Sequence, residues 1–87
     1  MRSPRQTAIR RALLESLAYM PDGLPMTDRA LHADAARCVR PAATTAELDA
    51  EIRAADQARL IVSLPGEDDM LRRLTDAGRL WLAEHPA

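Results

Sequence analysis

The alternation of apolar and polar positions divides the chain into four helical stretches, with a pair of strands between the third and the fourth. Ala8, Ile9, Ala12, Leu13, Leu17 and Tyr19/Met20 recur at helical spacing, which predicts a first helix over about residues 4–20. Ser3 stands as its N-cap and Pro4 at the first helical position, where a missing N–H costs nothing. Pro21-Asp22-Gly23 stops it. "LPM" is long enough for a minimal edge strand. A second helix over about 27–39 buries Leu31, Ala35 and Cys38/Val39, with Thr27 as its cap and Met26 placed to close over Leu31. "RPAA" breaks that helix. A third helix over about 45–58 presents Leu48, Ile52 and Ala55 on one face, and Thr44 with Glu47 three residues on has the spacing of a capping box. "RLIVSL" and "MLRRL" predict strands over about 59–64 and 70–74, joined by a turn at "PGEDD". Strict alternation puts Arg72 on the same face as Met70 and Leu74, which predicts a bulge or an irregular strand. Thr75 caps a last helix over about 76–85, with Leu80 packed inward and Gly78 permitting close approach to the first helix. The pattern reads as one α+β domain, mostly helical, spanning residues 1–87.

Composition narrows this further. A chain of 87 residues has room for one compact core. Phe is absent and Tyr19 and Trp81 are the only aromatics, so Leu, Ile, Val, Met and Ala must fill the interior. All 12 basic side chains are Arg, yet the formal charge is −1, so no global positive field draws the chain onto nucleic acid. No apolar run reaches the length of a transmembrane helix and no signal peptide is evident, so a cytoplasmic location is expected. Cys38 is the one cysteine and is expected to be buried as a small hydrophobe. His32, His85 and Cys38 are the only imidazoles and thiol. Asp28–His32 and Asp34–Cys38 have helical spacing, but neither makes a three- or four-ligand set. No enzyme activity, metal or cofactor is expected.

The segment "AELDAEIRAADQARLIVSL" resembles the third helix and first wing strand of winged helix-turn-helix regulators. "LRRLTDAGRLWL" resembles the second wing strand and closing helix of that family, with Leu74-Thr75 and Gly78 at the strand-to-helix change. The resemblance covers about residues 5–84 and implies a three-helix core, a β-hairpin wing and a C-terminal helix. The layout is also similar to that of small single-domain winged-helix proteins found among temperate-phage genes.

That resemblance implies a DNA-binding regulator or accessory factor whose third helix meets base edges while neighbouring residues hold phosphates. On this chain the candidate contacts with double-stranded DNA are Arg40, Thr44, Thr45, Arg53, Arg72 and Arg73. Arg37 and Arg40 close the second helix, where they serve either its C-terminal dipole or the flanking phosphates. Four acids on the third helix (Glu47, Asp49, Glu51 and Asp56) and the acidic turn "GEDD" oppose a polyanion. They raise the alternative of a protein-interaction module that meets a basic partner through Glu47, Asp49 and Glu51, with Trp81 as a further anchor. Trp81 and the first helix are also the candidate surfaces for a homodimer.

Overall fold

A computed structural model describes residues 2–86 as four helices and a three-stranded antiparallel sheet. Helix α1 (Pro4–Ala18) begins at a capping box. The Ser3 hydroxyl accepts from the Gln6 N–H at 3.0 Å, and the Gln6 carboxamide accepts from the Ser3 N–H at 2.8 Å. A 3-10 turn at Pro21–Gly23 follows, with Asp22 and Gly23 both at positive φ, and leads into the two-residue strand β1 (Met26–Thr27). Helix α2 (Asp28–Ala36) is capped by the Thr27 hydroxyl, and α3 (Thr45–Gln57) by the predicted Thr44/Glu47 box. Strands β2 (Ile61–Pro65) and β3 (Met70–Leu74) form the hairpin. Helix α4 (Asp76–Glu84) starts at Thr75, whose hydroxyl accepts from the Gly78 N–H.

The sheet order is β1-β3-β2, so the short strand pairs with the returning arm of the hairpin, Met26 opposite Arg72 and Thr27 opposite Leu71. The hairpin register runs without interruption from Ile61↔Leu74 to Pro65↔Met70. The expected bulge is therefore absent. Arg72 keeps its inward position because its guanidinium grips Asp28 with both arms, Nε to Oδ1 at 2.7 Å and Nη2 to Oδ2 at 2.9 Å, and donates to Ser63 Oγ at 2.6 Å. A two-pronged charged bond of this kind offsets the cost of turning an arginine away from water, so the backbone needs no distortion.

Helix α1 lies at the centre and packs against α2, α3, α4 and β3. Ile9, Leu14 and Leu17 of α1, with Leu31 of α2, are the largest fully buried side chains, each worth about 2 kcal/mol of transfer free energy. Burial around so much of its circumference encloses Leu14 and Arg10, which lie outside the stripe read from the sequence, while Tyr19 is 86% exposed. Helix α2 ends at Ala36 rather than near residue 39. The chain then turns so that Val39 is buried and Cys38, expected inside, is exposed. Arg59 adopts a left-handed conformation (φ 63°), which delays the start of β2 to Ile61. A Cβ at Gly78 would collide with the Leu60 carbonyl oxygen and the Leu74 side chain, so the close approach is to the base of the hairpin and not to α1. Leu80 is the large apolar side chain of α4 left outside, 59% exposed, while Trp81 and Leu82 pack against the core. Among the described residues no helix is long and apolar enough to cross a membrane.

Candidate nucleic-acid interface around the third helix

Helix α3 buries Leu48, Glu51, Ile52 and Ala55 and exposes Thr45, Ala46, Asp49, Ala50, Arg53, Asp56 and Gln57. Its four acids have separate fates. Glu51 points inward, its side chain 6% exposed, with Arg2 Nη2 at 2.6 Å and Arg10 Nε at 3.4 Å from the same carboxylate oxygen. Arg10 is itself buried, and its Nε makes no hydrogen bond, so the longer contact is a charge interaction without alignment. Burial pulls the Arg10 pKa down, helped by the nearby Arg2 charge, while Glu51 works against both. Glu47 closes the capping box at the start of α3 and accepts from Arg5 Nε at 2.7 Å and Nη2 at 2.9 Å. The bonds from Arg5, and then from the Thr44 N–H, hold its carboxyl at about 2. Arg5 also donates to the carbonyls of Pro41 and Ala42, tying the loop that enters α3 to α1.

The remaining two acids face outward. Asp49 Oδ1 sits 2.9 Å from His32 Nε2 of α2, off the N–H axis, and Asp49 makes no hydrogen bond among the described residues. Asp56 accepts from the Ser63 hydroxyl on β2 at 3.1 Å. Arg53 lies four residues after Asp49 and three before Asp56, both within helical reach, yet it pairs with neither. Its guanidinium is exposed, beside a cleft of about 280 Å³ lined by Asp49, Ile52, Arg53, Asp56 and Arg72.

The structure thus sorts the sequence candidates. Arg40, in the loop entering α3, Thr44, Thr45 and Arg53 remain exposed at one helix, although the Thr44 hydroxyl already accepts from the Glu47 N–H. Arg72 is withdrawn into its bond with Asp28, which raises its pKa, so it is not a spare phosphate contact. Arg73 is exposed on the opposite face of the sheet from Arg72, as strand alternation requires, and does not flank the helix with it. Of the partner-binding set, Glu47 is held by Arg5 and Glu51 by Arg2 and Arg10, and only Asp49 presents a half-exposed carboxylate. The Trp81 ring packs inward, stacked on His85 at 3.9 Å with the Arg10 guanidinium 5.7 Å from its centroid.

The acidic turn is also partly internal. Asp69 Oδ2 accepts from the Arg29 N–H at 2.9 Å, capping the first turn of α2 from a distant part of the chain, and this bond lowers the Asp69 pKa. Glu67 and Asp68 stay in solvent. The inward Glu51–Arg10 contact and the His32–Asp49 contact were both missed from sequence. The first had a signal, since Glu51 falls three residues after Leu48 and four before Ala55, on the arc that helical periodicity buries. The second required knowing how α2 and α3 cross. No protein-family model, curated protein or solved structure matches the chain.

Proposed function

We propose that the chain is a winged-helix domain that binds double-stranded DNA through the exposed face of α3. The element order, the β1-β3-β2 sheet and the hairpin between α3 and α4 support that layout. The observation that carries the function is Arg53. A guanidinium with carboxylates at helical spacing on both sides normally pairs with one of them. Here His32 and Ser63 engage those acids, and Arg53 keeps its donors unspent at the centre of the exposed face. Arg53 then donates to guanine or to a phosphate, Thr45 reaches a phosphate near the helix N-terminus, and Arg40 holds the backbone alongside. The acids that opposed this reading lose much of their weight, because Glu47 is neutralised by Arg5 and Glu51 by Arg2 and Arg10.

Few phosphate contacts make a weak, salt-sensitive complex. Titration of the labelled protein with a mixed-sequence duplex at low and moderate salt tests this. Arg53→Ala should weaken binding and flatten the salt slope by about one phosphate, and Arg40→Ala should do likewise. Arg79→Ala, on α4, should leave binding unchanged. Wild-type affinity in both the Arg53 and the Arg40 variants would show that α3 is not the contact.

A further inference from the structure

On the exposed face of α3, Asp49 keeps a half-exposed carboxylate whose Oδ1 lies against His32 and whose Oδ2 has no partner among the described residues. We infer that it determines sequence specificity by accepting a hydrogen bond from the exocyclic amine of cytosine, so that the interface prefers G·C pairs. The inference rests on the DNA-binding reading and assigns it a base class.

Three features lead there. The Asp49 side chain is 50% exposed and forms no hydrogen bond among the described residues. Its position is set by His32 of α2, 23% exposed, whose Nε2 lies 2.9 Å from Oδ1, and Oδ2 remains without a partner among the described residues. The exposed neighbours one turn back and one residue on, Ala46 and Ala50, are too small to block approach. An ionised carboxylate is acceptor-only. It repels phosphate, the O6 and N7 of guanine and the O4 of thymine, and the N7 beside the adenine amine opposes it as well. The cytosine amine is the major-groove group that answers it without an adjoining acceptor on the same base. Arg53, four residues further on, stands about 6 Å along the helix axis from Asp49, close to two base-pair steps of about 3.4 Å. Its fork suits guanine O6 and N7. The two side chains together would read G·C pairs two steps apart.

The test compares two duplexes of equal length, one G·C-rich and one A·T-rich, by fluorescence anisotropy at fixed salt, with circular dichroism as the check on folding. Wild type should bind the G·C-rich duplex about tenfold tighter or more. Asp49→Asn keeps the shape but carries a carboxamide, which suits adenine, so it should cut the preference severalfold while still binding. Asp49→Ala should reduce the preference to what Arg53 alone supplies and bind both duplexes at least as well, since a negative charge has left the interface. Equal affinities for the two duplexes in wild type, or an unaltered preference in Asp49→Asn, would overturn the inference while leaving DNA binding in place. Wild type that binds neither duplex would overturn both.

Discussion

Asp49 and Glu51 are two residues apart on one helix and carry the same charge, but they occupy opposite environments. Glu51 faces α1 with its side chain 6% exposed, between Arg2 and Arg10, whereas Asp49 is 50% exposed beside a single imidazole. The inner face of α3 uses its charge to tie the helix to the N-terminal part of the chain, and on the outer face Asp49 meets only His32 while Arg53 has no hydrogen bond among the described residues. The number of acids on a helix therefore says little about what it presents to a partner. What matters is which of them already have one.

The sharpest way to break this contrast is at Glu51. Replacing Glu51 by Ala leaves Arg10 buried without a counter-charge, and denaturant unfolding should register a loss of about 3 kcal/mol. The double replacement Arg10→Met with Glu51→Leu removes both charges and should recover most of that loss. A single Glu51 variant as stable as wild type would mean that water serves Arg10 adequately.

Glu47 should give a smaller effect with a pH signature. Glutamine at position 47 preserves the capping box but not the ion pair with Arg5, so Glu47→Gln should melt a few degrees below wild type at neutral pH. The folded-state pKa of Glu47 is depressed to about 2, below the ordinary glutamate value of about 4.3. Its contribution is thus fully present above the unfolded value and is lost as pH falls through about 2. The gap between variant and wild type should close over that window, and a gap independent of pH would assign it to something other than the charge.

The smallest stability effects belong to the outer face. Asp49→Ala and Arg53→Ala should each lie within about 0.5 kcal/mol of wild type, although these are the variants expected to alter duplex binding most. A destabilisation comparable to that of Glu51→Ala would erase the distinction between the two faces.

Local chemistry made much of the fold legible in the sequence. Ser3, Thr27, Thr44 and Thr75 all cap the helices they were expected to cap, and the arms of the hairpin fall within two residues of their expected starts. Those features depend on neighbours in the chain. Less was visible where the outcome depended on distant residues. Arg72 suggested a bulge because alternation turned it inward, and only the position of Asp28, at the far end of the sheet's short edge strand, explains why the strand stays regular. Val39 is buried as expected but Cys38 turns outward, because α2 stops at Ala36 and the chain leaves the helical path there. Arg53 was identified from its place on α3, but its lack of a partner follows from His32 and Ser63 on other elements.

The hairpin is fastened at three levels. At its base the Thr75 N–H donates to the Leu60 carbonyl and the Thr75 hydroxyl to the Arg59 carbonyl; at mid-height Arg72 clasps Asp28; near the tip Asp69 caps α2. Such an arm has little freedom left to surrender when a ligand arrives, so little ordering entropy is lost on binding. It has equally little capacity to mould itself to an ill-fitting surface, and a ligand that touches it must already match its shape.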